Sequence, residues 1–285
     1  MLSETLATIA QVAMLVFVVT SMAAMGLSLT MDGVIRPLRD LRLVALLLAA
    51  NFVAVPAVAI VVSRVLPMDD SSAAAIILMG ACAGAPFLPK LAQLAKGDIA
   101  LSVGEMVLLM VVTVLYAPLV VPLVIEGATV EPWDIGSSLV VLMLIPLGIG
   151  LFVRARYTEL ATGWAGPAGQ VANVALLLGL GAALIVTWRD ILGAIGSWIF
   201  VGTATVLAAG LIAGYLAAWG RPRGDAVVSA LATGQRNLAA AVVVAFSLGG
   251  DVVVLTLVGA RVIPIVLIVL AGELGRRTAG SAAAA

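Results

Sequence analysis

Long apolar segments separated by short polar connections dominate the chain. A bilayer core of about 30 Å is crossed by about 20 residues of α-helix, so each long apolar window predicts one membrane-spanning helix. Nine such windows occur, at 7–29, 43–63, 71–96, 99–124, 136–153, 168–188, 197–219, 225–248 and 252–272. The third and eighth windows each contain a charge and helix-breaking residues near the middle. The pattern therefore predicts an all-α membrane protein in which two helices are interrupted.

Basic residues in the connections predict how the chain is oriented. Short cytoplasmic loops carry an excess of lysine and arginine. Alternate connections hold ten basic residues, whereas the opposite connections hold two, Arg64 and Arg189. We therefore expect a multi-pass protein of the inner (plasma) membrane, with its N-terminus outside and its C-terminus in the cytoplasm. The ten residues are Arg36, Arg39, Arg42, Lys96, Arg154, Arg156, Arg221, Arg223, Arg276 and Arg277.

The overall composition agrees with a protein of the lipid bilayer and excludes several kinds of chemistry. Of 285 residues, 63% are hydrophobic and 11% are charged, and the mean hydropathy is +1.23. The formal net charge is zero, Cys82 is the sole cysteine, and histidine is absent. We expect no intramolecular disulfide, no cofactor and no nucleic-acid partner. The first window lacks a basic lead-in and a cleavage site, so we expect it to be retained as a helix.

Four charged residues lie at membrane depth, away from the ends of the predicted spans: Lys90, Arg236, Arg261 and Glu105. Each charge near a helix centre costs about 2.5 to 3.5 kcal/mol, so the four together cost on the order of 10 kcal/mol. One structural explanation is that Glu105 pairs with one base while the other bases reach the interface, and this explanation suits Arg261 best. Lys90 and Arg236 instead adjoin helix interruptions, which favours a functional role for them.

Both interruptions combine a cation with residues that break a helix. In "GAPFLPKL", Pro86 and Pro89 remove backbone donors just before Lys90. In "LATGQRNLA", the polar residues 233–237 include Arg236. Non-helical backbone at this depth is buried in protein or lines a watery cavity, and the N-terminal ends of half-helices favour anions. We therefore expect the two cations to hold a small organic anion at the membrane centre.

The two interrupted helices also indicate internal symmetry. With the N-terminus outside they are antiparallel, and each is followed by a Gly-Asp corner, at Asp98 and Asp251, and by one more apolar helix. Inverted repeats with interrupted helices in corresponding places are typical of secondary transporters. We expect one transmembrane transporter domain over 1–285, with a first repeat at 1–124, an inverted second repeat at 131–275 and a disordered tail at 276–285.

Five segments resemble the bile acid:sodium symporter family. They are "MGLSLT" (25–30), "ANFVAVP" (50–56), "LAKGDIALSV" (94–103), "YAPLVVP" (116–122) and "GQRNLAAA" (234–241). The resemblance implies a panel domain and a core domain, two discontinuous helices that cross at the membrane centre, and sodium-driven uptake of organic anions. It also implies the nine-helix form, which lacks the first helix of ten-helix members.

The chain departs from the family's pattern at the residues that the resemblance assigns to sodium. The first interrupted helix of the family typically reads Gly-Gly-Thr-Ala-Ser-Asn, but residues 84–89 here offer no side-chain hydroxyl or amide. In the second, Ala232 replaces a glutamate and Arg236 replaces a glutamine. Asn51 and Ser102 remain, which is too few for a hard cation that prefers about six oxygens. We therefore expect no metal site, and cationic side chains in place of the two sodium ions.

These features predict a sodium-independent secondary transporter of small organic anions that works by alternating access, and not an enzyme. Two alternatives stay open, a sodium-coupled organic anion symporter and a non-transporting, anion-binding membrane sensor. Intramembrane hydrolysis is disfavoured because the chain has no histidine and no mid-span aspartate. Protons are a further candidate partner, through Glu105 or Lys90. The candidate substrate-binding residues are Lys90, Arg236, Asn237, Gln235, Thr233, Glu105, Arg261 and Asn51, and Thr113 and Asn173 are candidates for the transport path.

Overall fold

The computed structural model describes residues 2–128 and 131–283, and this part of the chain is helical with no strand. The first helices are α1 (Leu2–Ser28), α2 (Met31–Ile35), α3 (Leu41–Ala49), α4 (Val55–Val65), α5 (Asp70–Ala81), α6 (Leu88–Leu94) and α7 (Ile99–Val124). They are followed by α8 (Pro132–Leu139), α9 (Ile145–Arg156), α10 (Thr158–Gly193), α11 (Ile199–Ala217), α12 (Arg223–Gly234), α13 (Leu238–Ala245) and α14 (Gly250–Ala283).

Seven segments of the described chain are long and apolar enough to cross a bilayer. Each coincides with one of the nine predicted windows. The other two windows, 71–96 and 136–153, contain α5 with α6 and α8 with α9 and are not among the seven, so the count of nine helices stays a prediction. The seven segments are Glu4–Ser28, Leu41–Val65, Ile99–Val124, Thr158–Gly193, Ile199–Ala217, Arg223–Ala245 and Gly250–Arg277.

The C-terminal helix is longer than the sequence pattern predicts. We expected a disordered tail at 276–285, of which 284–285 lie outside the described residues; within the described residues, α14 continues to Ala283. Alanine has the highest intrinsic helix propensity, and the alanine-rich end of the chain can extend an existing helix without new tertiary contacts.

A π-helical turn at Ala50–Ala54 joins α3 to α4 within one span. Pro56 follows it, and a proline lacks the backbone donor and clashes with the carbonyl four residues earlier. A locally wider turn relieves that clash. A second π-helical turn, Val140–Leu144, also ends shortly before a proline, Pro146. The first turn contains the buried Asn51, so it helps to set the position of one of the candidate residues.

Helix contacts divide the chain into two compact units. The first unit comprises Met1–Val34 and Ser137–Gly193, and in it α1 packs against α9 and α10. A Cβ on Gly150 of α9 would lie only 2.6 Å from the carbonyl oxygen of Ala23 in α1. Small residues are common where membrane helices approach closely, so this glycine permits the contact.

The second unit comprises Ile35–Gly136 and Ala194–Ala285, and it contains both interrupted helices. In it α11 packs against α12, and α5 packs against α4, α13 and α14. A Cβ on Gly210 of α11 would lie 2.6 Å from the Thr233 carbonyl oxygen, so this pair is also in close backbone contact. The division into units does not follow the expected repeat boundaries at 124 and 131, and the repeats stay a prediction.

One ion-pair cluster joins two polar connections of the second unit. Arg221 Nη1 donates to Asp40 Oδ2 at 2.6 Å, and Arg221 Nη2 donates to Asp225 Oδ2 at 3.0 Å. Asp40 also caps α3, because its Oδ1 accepts from the Leu43 N–H at 3.1 Å. That backbone bond and the positive charge of Arg221 hold the pKa of Asp40 below its ordinary value. The charge of Arg221 is thus already compensated by two carboxylates.

Candidate functional site

The two helix interruptions contact each other. We call residues 82–87, between α5 and α6, the first break, and residues 235–237, between α12 and α13, the second break. The Asn237 N–H donates to the Cys82 carbonyl oxygen at 2.9 Å, and Asn237 Nδ2 donates to the Gly84 carbonyl oxygen at 3.0 Å. Both interruptions that the sequence predicts are therefore present, and backbone groups of the first break are satisfied by the second.

Asn237 is a structural residue of this contact. It is fully buried, and its Oδ1 accepts from the Ala240 N–H at 3.1 Å, which caps the N-terminus of α13. Asparagine is among the preferred residues at this position because its side-chain oxygen satisfies an otherwise unpaired helix donor. The side chain therefore uses its oxygen for its own helix and its nitrogen for the first break.

The Arg236 guanidinium lies at the C-terminal ends of two half-helices. Its Nε donates to the Met79 carbonyl oxygen at 2.9 Å and its Nη2 to the Gly80 carbonyl oxygen at 2.6 Å, both in the last turn of α5. Its Nη1 donates to the Thr233 carbonyl oxygen at 3.1 Å, near the end of α12, and to Asn51 Oδ1 at 3.0 Å. The last carbonyls of a helix lack internal partners and carry partial negative charge, so the guanidinium stabilises both ends.

Arg236 is a permanent charge in the protein interior. Its exposed fraction is 4%, and a guanidinium stays protonated under all ordinary conditions. The four oxygens that accept from it are three carbonyls and one amide, and none belongs to a carboxylate. We expected this side chain to face a guest anion; the structure instead directs it to protein oxygens, because unpaired helix-end carbonyls lie within its reach.

Hydrogen bonds of the Asn51 amide nitrogen, one of them to Thr233, orient the Asn51 amide oxygen toward Arg236. Both are fully buried. Asn51 Nδ2 donates to the Leu47 carbonyl oxygen and to Thr233 Oγ1, each at 3.0 Å, so its Oδ1 is left for the guanidinium. Thr233 Oγ1 in turn donates to the Ser229 carbonyl oxygen at 3.0 Å. Asn51 therefore forms one hydrogen-bonded cluster with two candidate residues that are more than 180 positions away in sequence, Thr233 and Arg236.

Thr113 of α7 satisfies the backbone of the first break. Its Oγ1 accepts from the Ala83 N–H and donates to the Ala83 carbonyl oxygen, each at 3.0 Å. The residue is fully buried. We considered it as a lining residue of the transport path, and the structure gives it backbone partners instead.

Removing the Thr113 hydroxyl should destabilise the first break. In Thr113→Val the shape is nearly kept but both polar groups of Ala83 lose a partner, and we expect a loss of about 1 to 3 kcal/mol in the free energy of unfolding. Thermal unfolding of the purified protein in detergent measures it. Thr205→Val is the control, because that hydroxyl donates to Val201 within its own exposed helix turn. Equal effects of the two variants would contradict a special role for Thr113.

Lys90 and Arg236 have different side-chain acceptors. Lys90 lies in the first turn of α6, half-buried, and its Nζ donates to Gln93 Oε1 at 2.9 Å. This bond stays within α6, whereas the bonds of Arg236 reach the ends of α5 and α12. Arg261 is half-buried in α14, and Asn173 lies on α10 in the first unit. The contact between the two breaks is therefore built around Arg236 and Asn237.

The side-chain oxygen of Gln235, in the second break, is a buried polar atom without a hydrogen-bond partner within the described residues. The exposed fraction of Gln235 is 4%, and the atom is its Oε1. A buried polar atom without a partner costs free energy, and a functional role is one explanation for such a group. Gln235 lies directly beside the Arg236 cluster, which makes it a candidate for contact with a bound molecule.

Glu105 of α7 pairs with a serine and not with a base. It is fully buried, its Oε1 accepts from Ser229 Oγ at 2.5 Å, and its Oε2 has no partner within the described residues. The structural explanation in which Glu105 pairs with one of the intramembrane bases is therefore not supported by the contacts of the described residues. Sequence reasoning missed Ser229. Ser229 and Thr233 are four residues apart, which places both on one face of α12. This spacing could have indicated from the sequence that Ser229 lies on the polar face of that helix.

A cavity of about 790 Å³ lies elsewhere, in the first unit between α1 and α10. Its walls are predominantly apolar, with Ile9, Val12 and Val171 among them. None of the candidate residues lines it, and the faces of membrane helices that point to lipid form grooves of this kind. We therefore place the candidate site at the two breaks.

Interrupted helices that meet inside a multi-span membrane protein are typical of secondary transporters. The sequence profile of the Sodium Bile acid symporter family matches residues 13–188. This match covers more than half of the chain, and the chain belongs to that family. A comparison with curated proteins gives no significant match. Membership of the family indicates a multi-pass secondary transporter of organic anions, in agreement with a function other than catalysis.

The residues of the site do not fit the sodium ions that the family's name implies. Sodium would need oxygen ligands, and hard cations prefer about six of them. Here three carbonyl oxygens and the Asn51 amide oxygen already accept hydrogen bonds from Arg236. Ser102 Oγ donates to the Ile99 carbonyl oxygen at 2.6 Å. Within the described residues no group of three or more acidic or cysteine side chains is arranged to hold a metal.

Proposed function

We propose that the protein carries small organic anions across the inner (plasma) membrane by alternating access and without sodium. The observation that supports this is the position of the Arg236 guanidinium. In transporters with broken helices, unwound carbonyls and the C-terminal ends of half-helices are where the coupling cation is coordinated. Arg236 places a permanent positive charge on the same kind of oxygens. The ends of α5 and α12 at the two breaks are therefore stabilised without a sodium ion that binds and dissociates in each transport cycle.

In this proposal the second unit serves as the core of the transporter and contains the interrupted part of each expected repeat, 1–124 and 131–275. One interrupted pair, α5 and α6, is preceded by α3 with α4 and followed by α7. The other, α12 and α13, is preceded by α11 and followed by α14. These two sets have the same order of one span, one interrupted helix and one long span. Inverted repeats of this kind place the substrate near the midplane, at the interrupted helices.

Lys90 and Gln235 contact the substrate in this proposal. We expected two cations to hold the anion. In this proposal Arg236 instead stabilises the ends of α5 and α12. Lys90 is half-buried in the first turn after the first break, where an ammonium group can meet a carboxylate or sulfate. The Gln235 amide can offer its nitrogen to the same anion. Arg261 in α14 stays a candidate for a further contact.

Sodium independence can be tested by uptake into proteoliposomes. We expect a labelled bile acid, a steroid sulfate or a short carboxylate to enter at the same initial rate in sodium and in potassium buffers. Lys90→Gln should lower that rate about tenfold, the effect of losing about 1.4 kcal/mol from a charge-assisted contact. Lys96→Gln is the control, because Lys96 is an exposed lysine at the end of α6.

The alternatives predict other results of the same experiment. Uptake that collapses when potassium replaces sodium would show a sodium-coupled symporter and overturn the proposal. An anion that raises the thermal midpoint of the protein but never crosses the membrane in any gradient would show a binding sensor. Equal uptake by Lys90→Gln and the wild type would remove Lys90 from the substrate site.

A further inference from the structure

The Glu105 carboxyl is fully buried and only partly hydrogen-bonded. Its Oε1 accepts from Ser229 Oγ, and its Oε2 has no partner within the described residues. An ionised carboxylate at this position would have lost its hydrating water molecules and gained only one hydrogen-bond donor, a hydroxyl group. A neutral carboxylic acid loses far less on burial. The geometry therefore favours a proton on Glu105 in this conformation.

Charged groups around Glu105 do not change this conclusion. The charges whose field reaches it are Arg221 and Asp225, and these two residues are paired with each other at 3.0 Å. Arg221 is also paired with Asp40, so it offers no uncompensated positive charge. The elements packed against α7 are α5, α6, α12 and the turn Arg36–Arg39. Their other ionisable residues are Asp70, Lys90, Arg223, Arg36 and Arg39.

Glu105 is connected to the cationic cluster at the two breaks. Ser229 is the hydroxyl donor to Glu105, and its carbonyl oxygen accepts from Thr233 Oγ1 at 3.0 Å. Thr233 Oγ1 accepts from Asn51 Nδ2, and Asn51 Oδ1 accepts from Arg236. The bond between Glu105 and Ser229 joins α7 to α12, the half-helix whose end Arg236 holds. A movement of α12 away from α7 would break that bond and admit water.

We propose that Glu105 is a proton-binding site that couples organic anion transport to a proton gradient. This inference rests on the proposed transport function. With α12 against α7, the carboxyl is neutral and carries its proton on Oε2, while Ser229 donates to Oε1. When α12 separates and water enters, the O–H bond breaks, the proton passes to water, and the carboxylate keeps the electron pair. Transport of one monovalent anion together with this proton moves no net charge.

The protonation of Glu105 can be measured without any substrate. The infrared spectrum of the purified full-length protein at neutral pH should contain the carbonyl stretch of a buried, protonated carboxyl. That band should be lost in Glu105→Gln, which keeps the shape of the side chain, and kept in Glu131→Gln, which alters an exposed carboxyl. A wild type without the band, or a band that persists in Glu105→Gln, would overturn the proposal.

The coupling can be measured in proteoliposomes with a pH gradient and no sodium. We expect the gradient to drive accumulation of a labelled organic anion by the wild type and by Glu131→Gln. Glu105→Gln should still exchange labelled for unlabelled anion but should accumulate it only to the level reached without a gradient. Ser229→Ala should shift the pH dependence of uptake, because it removes the donor that positions the carboxyl.

The two proposals fail in different ways in this assay. If no anion moves under any gradient, the transport function itself is wrong. If anions move but the pH gradient has no effect on the wild type, or if Glu105→Gln accumulates them as the wild type does, only the proton-binding role of Glu105 is wrong.

Discussion

Replacing Arg236 with glutamine should make the stability of this protein depend on sodium. The guanidinium donates to the carbonyl oxygens of Met79, Gly80 and Thr233 and to Asn51 Oδ1. Glutamine restores the residue type that the family resemblance places at this position and leaves most of these oxygens without a donor. Oxygens at the C-terminal ends of half-helices are suitable ligands for a small cation. We therefore expect the variant to bind sodium weakly where the wild type does not.

The loss of stability in Arg236→Gln should be large in potassium buffer and partly recovered in sodium buffer. Each buried acceptor left unpaired costs about 1 to 3 kcal/mol, so a total of about 3 kcal/mol or more is expected. For a chain of this size, about 3 kcal/mol lowers the thermal midpoint by ~6 to 12 °C. Thermal unfolding of purified protein in the two salts at equal ionic strength measures both effects.

Two matched variants separate charge from geometry. Arg236→Lys keeps a positive charge but replaces the planar fork by one ammonium group, so it should be destabilised and insensitive to sodium. Arg64→Gln removes an exposed arginine from the last turn of α4, and this arginine is not a donor to the helix-end oxygens of α5 and α12, so the variant should show no sodium response. If sodium does not stabilise Arg236→Gln, or if it stabilises all three variants equally, the guanidinium does not occupy a cation's place.

The interruptions themselves could be predicted because their causes are local. Pro86 and Pro89 remove backbone donors in the first, and the polar residues 233–237 break the apolar pattern of the second. The breaks of the structure, 82–87 and 235–237, lie within or directly beside these residues. Seven of the predicted windows coincide with segments that are long and apolar enough to cross a bilayer, since hydropathy and length decide such segments without reference to their neighbours.

The partners of Arg236 and Glu105 could not be predicted because they depend on contacts between distant segments. The sequence pattern indicates side-chain charges and the N-terminal ends of half-helices. Backbone carbonyls at the end of α5, such as those of Met79 and Gly80, give no side-chain signal, although together they attract a guanidinium. Ser229 resembles any other small residue of a packed membrane helix until α7 is placed beside it. Polar residues at an interruption thus indicate where a site lies more reliably than what each residue contacts.

Replacing Gly84 with alanine should disrupt the first break far more than its backbone conformation alone would require. Gly84 and Gly127 have nearly the same left-handed φ, +76° and +79°. An alanine at such a φ costs about 1 to 2 kcal/mol. A Cβ on Gly84 would also lie 2.6 Å from Met110 Cα and 2.8 Å from the Leu109 carbonyl carbon in α7, whereas a Cβ on Gly127 would meet nothing within 4 Å. Those neighbours are backbone atoms of a long helix and cannot rotate away.

The difference between Gly84→Ala and Gly127→Ala therefore measures the contact between the first break and α7. We expect Gly127→Ala to lose about 1 to 2 kcal/mol of the free energy of unfolding and to purify normally. Gly84→Ala should lose about 4 kcal/mol or more, because the clash also separates Ala83 from Thr113 and shifts the Gly84 carbonyl oxygen away from Asn237. Size-exclusion profiles and thermal midpoints in detergent distinguish the two. Equal losses would mean that the break is not held against α7, and that Thr113 and Asn237 do not stabilise its backbone.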